Sequence, residues 1–339
     1  MTELKPLTHQ EDSDGPPILS VRGLQVDLRV PGGWLPIVSD VSFDLRAGEI
    51  LGIVGESGAG KSMSGNAVTG LLREPLVRRA GEVRLGETRI DGLGDRRMAD
   101  IRGRRIAMIF QDPLTALNPV FTVGDQLVET IRRHTALRGA AARDRARELL
   151  HQVGIPAAED RLDQYPHEYS GGMRQRVVIA LALAGEPEVL FADEPTTALD
   201  VSIQAQIIAL FKRLCHEKRL AAALVTHDMG VIAQATDRVA VMYAGRIVET
   251  GRTADVLARP RHPYTRALMR SIPRIGERHE RLPQLQGSMP RPGALPDGCA
   301  FSDRCDRATA QCSRAVPELT GPAAHPAACF HPCDEEAVQ

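Results

Sequence analysis

A glycine-rich loop near residue 60 contains the residue types that bind phosphate groups. The loop fits the pattern G-x-x-x-x-G-K-[ST], and its residues are Gly55, Glu56, Ser57, Gly58, Ala59, Gly60, Lys61 and Ser62. Glycines let the backbone turn its N–H groups inward around phosphates, and the start of a following helix adds positive potential. A lysine at this position reaches the β- and γ-phosphates, and the next hydroxyl ligates Mg²⁺. The loop therefore predicts a site for a phosphate chain and Mg²⁺.

Two adjacent carboxylates follow an apolar run later in the chain. These are Asp193 and Glu194. Acidic residues often end strands, but beside a phosphate loop they indicate that Asp193 holds Mg²⁺ through water and that Glu194 orients or deprotonates the attacking water. Two other apolar runs end at Gln111 and His227. Because ligands of parallel sheets lie beyond the carboxyl ends of the strands, we expect these four residues to meet Lys61 in one crevice.

The elements that position these residues alternate between strands and helices. Short apolar runs predict strands at residues 50–54, 106–110, 188–192, 220–225, 238–243 and 246–249. Residues 122–185 are mostly helical in pattern. The fold class is therefore α/β, a parallel-sheet core with a helical insertion.

The two ends of the chain differ from this core. Residues 1–17 are polar and contain three prolines, which predicts a disordered lead. Alternating residues at 18–30 and 37–45, with a hairpin-like segment at 81–91, predict antiparallel strands. Beyond residue 260, proline, arginine and cysteine become dense and helical periodicity fades, which predicts a third unit or an appendage.

Composition excludes several classes of protein. The chain has 339 residues and a formal net charge of −1, so it lacks the broad cationic surface of a general nucleic-acid binder. No apolar run approaches the roughly 18–20 residues that span a bilayer, and the first residues lack the layout of a secretory signal. We expect a cytosolic protein whose link to a membrane runs through a partner.

A fourth motif identifies a family. Ser170, Gly171 and Gly172 precede an apolar helical stretch, and with the motifs above they resemble the ATP-binding subunits of ABC transporters. Asp200 matches the D-loop of this family. The resemblance covers about residues 18–260 and rests on five motifs in the expected order. It implies a P-loop NTPase (ABC ATPase) fold with a RecA-like parallel-sheet core, an antiparallel β subdomain, a helical signature subdomain at about 113–186 and a Cys-rich C-terminal appendage.

The resemblance also implies roles for the site residues. Glu194 would act as the base, Gln111 and His227 would sense the γ-phosphate, and Ser62, Gln111 and Asp193 would hold Mg²⁺. Residues 170–172 would contact ATP bound by a second cassette, so the chain must pair with itself or with a related subunit. Trp34 either stacks on adenine in place of the usual aromatic residue or packs as a loop tryptophan on the sheet.

Three further segments narrow the resemblance to the oligopeptide/dipeptide branch of importers. They lie at residues 110–119, 165–176 and 261–268 and extend the match to about residue 333. The branch implies two transmembrane permease subunits, an extracytoplasmic substrate-binding protein and a peripheral position at the cytoplasmic face of the membrane. Residues 113–170 would contact the permease, unless residues 112–123 are only a proline-bounded loop. Other cargo such as nickel, a non-catalytic role in a mixed dimer, and a soluble ATPase acting on DNA or ribosomes remain alternatives.

Five of the six cysteines crowd the C-terminal region. Four of them, Cys299, Cys305, Cys312 and Cys329, have a spacing similar to tails in this branch that hold a [4Fe–4S] cluster. The C-x₂-C pairs of zinc ribbons are absent, which argues against zinc, and disulfides are rare in the cytosol. Zinc and free or merely structural thiols remain the alternatives to a cluster. A cluster would stabilise a tail that has few apolar residues of its own.

Overall fold

The computed structural model describes residues 15–197, 199–271 and 285–333. Most of the predicted disordered lead and residue 198 of the predicted D-loop lie outside these ranges. Ten strands are assigned in the described ranges: β1 Leu19–Val30, β2 Gly33–Leu45, β3 Ile50–Val54, β4 Leu76–Leu85, β5 Thr88–Arg89, β6 Ile106–Ile109, β7 Val189–Asp193, β8 Ala221–Thr226, β9 Arg238–Tyr243 and β10 Arg246–Arg252.

The same ranges contain eleven α-helices and two short 3₁₀ turns. The helices are α1 Lys61–Thr69, α2 Asp95–Ile101, α3 Pro113–Ala116, α4 Val123–His134, α5 Gly139–Gln152, α6 Ala158–Arg161, α7 Gly171–Leu183, α8 Val201–Glu217, α9 Met229–Ala235, α10 Thr253–Ala258 and α11 Pro263–Arg270. The 3₁₀ turns are Pro166–Glu168 and Ser302–Arg304. Among these described helices, none has the length and apolar character needed to cross a membrane.

The central sheet has six strands in the order β10-β9-β3-β8-β7-β6. Five of them run parallel, and β10 pairs antiparallel with β9 at one edge. Strands β3 and β8 are buried along their whole length, as expected for a parallel sheet that is covered on both faces. The carboxyl ends of β3, β6, β7 and β8 therefore meet at one edge, which confirms the predicted parallel α/β core.

A second sheet is antiparallel and has the order β2-β1-β4-β5. Its inward side chains, which include Leu19, Val21, Leu24 and Val26, join the same apolar core as residues of β3 and β8. The predicted hairpin at 81–91 corresponds to the end of β4 and its antiparallel neighbour β5. Arg84 pairs with Arg89 and Leu85 pairs with Thr88. The long strand β4 was not predicted beyond this hairpin, because its exposed arginines interrupt the apolar alternation.

A helical subdomain lies between β6 and β7 and contains α3 to α7. Thr122 caps the N-terminus of helix α4, where its hydroxyl accepts the N–H of Asp125 at 3.1 Å, and the helix buries Leu127 and Ile131. Helices α5 and α7 complete the apolar core of this subdomain. The core reaches the central sheet through Ile109 of β6 and Leu190 of β7, so the subdomain packs against these two strands.

The C-terminal segment packs against the β3–β9–β10 side of the central sheet. Tyr264 of α11 and Phe301 are buried against Tyr243 at the end of β9, with ring centroids 4.6 to 5.5 Å apart. The N–H of Ala328 donates to Val248 of β10 at 2.7 Å, which attaches the tail to the sheet edge. The C-terminal unit therefore shares a core with the central sheet (instead of folding apart from it).

Candidate nucleotide site

The glycine-rich loop lies between β3 and α1, as its motif requires. Gly58 and Gly60 have φ values of +86° and +97°, a conformation that side-chain-bearing residues rarely adopt. A Cβ atom at Gly60 would also lie 3.3 Å from the carbonyl oxygen of Ile37. The buried Lys61 donates its Nζ to the carbonyls of Gly55 at 2.8 Å and Glu56 at 3.0 Å. Burial lowers the pKa of Lys61, although the nearby carboxylates oppose this shift.

Two of the three predicted Mg²⁺ ligands, Ser62 and Asp193, are in direct contact. Ser62 is the second residue of α1, and Asp193 is the last residue of β7. The hydroxyl of Ser62 donates to Asp193 Oδ1 at 2.8 Å. Burial raises the pKa of Asp193, and the hydrogen bond from Ser62 opposes this shift. Hydroxyl and carboxylate oxygens side by side are the ligands that Mg²⁺ prefers, so these residues fit the ion that the motif implies.

The carboxylate of Glu194 is held by three side chains from three different segments. Gln111 Nε2 donates to Oε2 at 2.9 Å, Thr197 Oγ1 donates to the same oxygen at 3.0 Å, and His227 Nδ1 lies 2.9 Å from Oε1. Burial alone would raise the pKa of Glu194, but the hydrogen bonds from His227 and Thr197 and the charge of Lys61 hold it below its usual value. The predicted base is therefore ionised and oriented.

These residues share one cavity of about 740 Å³ with the phosphate loop. Its walls include Lys61, Ser62, Gln111, Glu194 and His227, together with all three glycines of the loop. This size is within the range of small-molecule sites. The strand ends thus bring together the residues that the sequence predicted for this crevice, and Asp193 joins them through its bond to Ser62.

Ser170, Gly171 and Gly172 lie at the N-terminus of α7 and do not line the nucleotide cavity. Ser170 is the N-cap of α7, where its hydroxyl accepts the N–H of Met173 at 3.4 Å, and Ser170 and Gly171 are exposed. Asp200 is the N-cap of α8 and accepts the N–H of Ile203 at 2.9 Å. Both caps present helix N-termini at the surface, where a second molecule can reach them.

Trp34 is the second residue of β2, directly after the turn that joins β1 and β2. The guanidinium of Arg79 lies 4.5 Å from the centre of the indole ring, and that of Arg29 lies 6.0 Å from it. Ile37, three residues further on, lines the nucleotide cavity, and Trp34 is not among the residues that line it. Stacking of Trp34 on adenine stays a prediction.

Sequence reasoning missed several residues at the cavity. Thr197 contacts Glu194, and the C-terminal residues Leu268 and Pro292 line the cavity wall. Arg304 and Tyr264 contact Glu56 of the phosphate loop. Thr197 lies only three residues after Glu194, so its position next to the acidic pair could have identified it from the sequence. The other four residues are more than 200 positions from the loop, and only the folded structure brings them to it.

The cysteine cluster is a separate feature. Cys299, Cys305, Cys312 and Cys329 line one small cavity in the tail, and all six cysteines are in the described ranges and unpaired. Burial raises the pKa of Cys299 and Cys305, and it raises that of Cys329 to about 11. Within the described residues, no group of three or more His, Cys, Asp or Glu side chains is arranged to hold a metal ion. The structure therefore gives the iron–sulfur prediction no support beyond the shared cavity.

Two family models match the chain. The model of the ABC transporter family matches residues 38–197, and that of the oligopeptide/dipeptide transporter C-terminal region matches residues 248–312. The dipeptide transport ATP-binding protein DppD of Bacillus subtilis is 47% identical, over 89% of this chain and 91% of its own. DppD of Escherichia coli is 43% identical, over 94% of this chain and 98% of its own.

Solved structures agree with these matches. The ATP-binding cassette MJ0796, solved as a dimer in a post-hydrolysis state with ADP and Pi, superposes with a TM-score of 0.62 at 27% identity. The match covers 69% of this chain and 98% of that cassette. The chain therefore belongs to the family of ABC transporter ATP-binding proteins, in the branch that carries the oligopeptide/dipeptide transporter C-terminal region.

Proposed function

We propose that the chain hydrolyses ATP and thereby powers an importer of dipeptides or oligopeptides. The observation that carries this proposal is the arrangement around Glu194, whose oriented carboxylate lies in one cavity with Lys61, Ser62, Gln111 and His227. A carboxylate held in this way can orient or deprotonate a water molecule for attack on a phosphoryl group. The fixed positive groups around it stabilise the charge that develops in that reaction.

The phosphate loop binds the triphosphate in this proposal. Backbone N–H groups of residues 55–62 and the N-terminus of α1 face the phosphates, and Lys61 exchanges its bonds to Gly55 and Glu56 for bonds to the β- and γ-phosphates. Ser62, Asp193 and Gln111 hold Mg²⁺, which neutralises phosphate charge when it is bound. His227 and Gln111 sense whether the γ-phosphate is present, and their contacts with Glu194 couple this to the catalytic carboxylate.

A second cassette completes the site. Ser170, Gly171 and Gly172 contact the ATP that the other subunit binds, and Asp200 lies at the contact between the two subunits. Support comes from the exposed N-terminus of α7, which is a ready anion site that the chain's own cavity does not use. The dimeric state of the MJ0796 cassette supports the same arrangement.

Two permease subunits dock on the helical subdomain, at the cytoplasmic face of the membrane. Leu114, Val120 and Phe121 expose 63%, 70% and 51% of their surface in the segment after Gln111. An apolar groove beside this segment is lined by residues of β6 and α7. Exposed apolar surface next to a site residue is typical of a partner interface. An extracytoplasmic substrate-binding protein would deliver the cargo to the permease.

Peptide cargo is proposed on the names of the relatives and on the C-terminal region. Both DppD proteins are named for dipeptide transport. The matched C-terminal region lies against the nucleotide cavity, so the segment that marks the branch is part of the working cassette.

The [4Fe–4S] cluster is retained as a proposal about the tail alone. Its support is the cavity that Cys299, Cys305, Cys312 and Cys329 share. Anaerobic purification followed by iron and sulfide analysis tests it. About four of each per chain, lost together when Cys312 is replaced by serine, would support a cluster, whereas absence of both ions from the folded chain would refute it.

The functional proposal is tested by capture from membranes. Tagged Glu194→Gln chain, solubilised with ATP and Mg²⁺, should retain the closed dimer and bring down two permease chains, a second cassette and a peptide-binding protein. Glu217→Gln, an exposed change on α8, is the matched control and should capture less of the assembly. Recovery of the chain only with nucleic acid or ribosomes would contradict the transport proposal.

A further inference from the structure

Glu56, the second residue of the phosphate loop, is held by the C-terminal segment. Arg304 Nη1 donates to Glu56 Oε2 at 2.8 Å and Nη2 donates to Oε1 at 3.0 Å. This two-bond geometry fixes both the distance and the orientation of the carboxylate. The side chain of Arg304 is only 7% exposed and that of Glu56 is 28% exposed, so water screens this pair weakly.

The backbone of Glu56 is held at the same time. Its N–H donates to the hydroxyl of Tyr264 at 2.9 Å, and the Tyr264 side chain is fully buried. Its carbonyl oxygen accepts from Lys61 Nζ at 3.0 Å. One residue therefore connects the phosphate-binding lysine to two side chains of the C-terminal segment, on α11 and in the 3₁₀ turn at Ser302–Arg304.

Arg304 is itself firmly placed. Its Nε donates to the carbonyl of Gln286 at 2.8 Å, and Nη1 also donates to the hydroxyl of Tyr243 at 3.1 Å. The guanidinium lies 5.9 Å from the centre of the Phe301 ring. The hydrogen bonds that Arg304 donates to Glu56 and Tyr243 outweigh burial and raise the pKa of Arg304, so its charge is permanent.

Further contacts place the same segment over the loop. Met289 Sδ accepts the N–H of Ala244 at 3.3 Å, and its terminal methyl lies 3.2 Å from the position that a Cβ atom on Gly58 would occupy. Leu268 and Pro292 line the nucleotide cavity. The C-terminal segment thus forms part of the surroundings of the phosphates.

We propose that Arg304 and Tyr264 are positioning residues that hold the phosphate loop in its ATP-binding conformation. The inference rests on the proposed function, since it concerns how this cassette binds ATP. Phosphate affinity requires the loop N–H groups to be aimed before binding, and the apparent Kd rises in inverse proportion to the fraction of molecules in the competent conformation. The C-terminal segment sets that fraction through Glu56.

The test measures ATP binding and hydrolysis separately. In Arg304→Met and Glu56→Gln, Kd and KM for ATP should rise about tenfold, while kcat at saturating ATP falls less than about threefold. Tyr264→Phe removes one acceptor and should raise Kd about fivefold. Arg304→Lys should recover part of the affinity, because lysine keeps the charge and loses the two-bond geometry. Arg314→Met, an exposed change in the same tail, is the control and should leave both constants unchanged.

The double variant Glu56→Gln with Arg304→Met separates positioning from simple damage. If the two residues act on the loop through each other, the double change should raise Kd no more than either single change. Wild-type binding by folded Glu56→Gln and Tyr264→Phe would overturn the proposal, and these variants decide the question if Arg304→Met fails to fold. Failure of the wild-type chain to hydrolyse ATP when it is assembled with its second cassette and the permease would instead refute the proposed function.

Discussion

Glu249 is a buried carboxylate that attaches the C-terminal segment to the central sheet. It lies on β10 and is fully buried. It accepts the backbone N–H of Arg261 at 2.7 Å and that of His262 at 2.9 Å, and His325 Nε2 lies 2.7 Å from Oε1. We predict that Glu249→Ala frees the start of α11 from the sheet.

The magnitude follows from the groups that lose their acceptor. A buried donor left without a partner costs about 1–3 kcal/mol. The inaccessible N–H of His262 costs about 2 kcal/mol, whereas the donors of the half-buried Arg261 and His325 cost about 1 kcal/mol each because solvent is closer to them. The total is about 4 kcal/mol, within the range measured when one partner of a buried charged network is removed.

Hydrogen–deuterium exchange measures this loss locally. Amides of α11 should exchange about a thousandfold faster in Glu249→Ala, because 1.4 kcal/mol corresponds to a factor of ten. Glu217→Ala is the control, since it removes only an exposed i,i+4 pair with Arg213 and should change exchange little. Exchange of α11 amides in Glu249→Ala within about fivefold of wild type would refute the reasoning.

Three further changes test the nucleotide site. Thr197→Val removes one hydrogen bond to Glu194 and should lower kcat about fivefold with KM unchanged, as measured by steady-state phosphate release. Ser62→Ala removes the hydroxyl that contacts Asp193 and should raise the Mg²⁺ concentration for half-maximal activity at least about tenfold, as measured by Mg²⁺ titration. Trp34→Ala should change the Kd for ATP less than about twofold if Trp34 packs as a loop tryptophan, whereas a rise of about tenfold in equilibrium binding would support the adenine-stacking prediction.

The phosphate loop and the strand-end residues could be predicted because their signals are local. A glycine at φ +97° before a lysine is required by the turn itself, and the parallel sheet then brings Gln111, Glu194 and His227 to one edge. The helical insertion was also visible, since α4 and α5 bury side chains at helical spacing.

Other features depended on contacts that no local pattern encodes. Arg304 is one of many arginines in the chain, and nothing near it in sequence distinguishes it from exposed Arg314. Its role follows only from the packing of Tyr243, Tyr264 and Phe301, which carries the tail back to the loop. The sequence indicated a third unit or an appendage because periodicity fades there, but only the structure shows that the aromatic residues join this segment to the core of the sheet.

The central claim is that Glu194 carries the hydrolytic step at an ATP site formed by this chain. The most direct measurement is single-turnover hydrolysis of bound ATP by Glu194→Gln, beside Glu217→Gln as the matched control. Removal of a positioned general base costs about 10²–10⁴-fold, so Glu194→Gln should bind ATP with wild-type Kd and hydrolyse it at least about a hundredfold more slowly. Wild-type hydrolysis by Glu194→Gln, with the control equally active, would contradict the account.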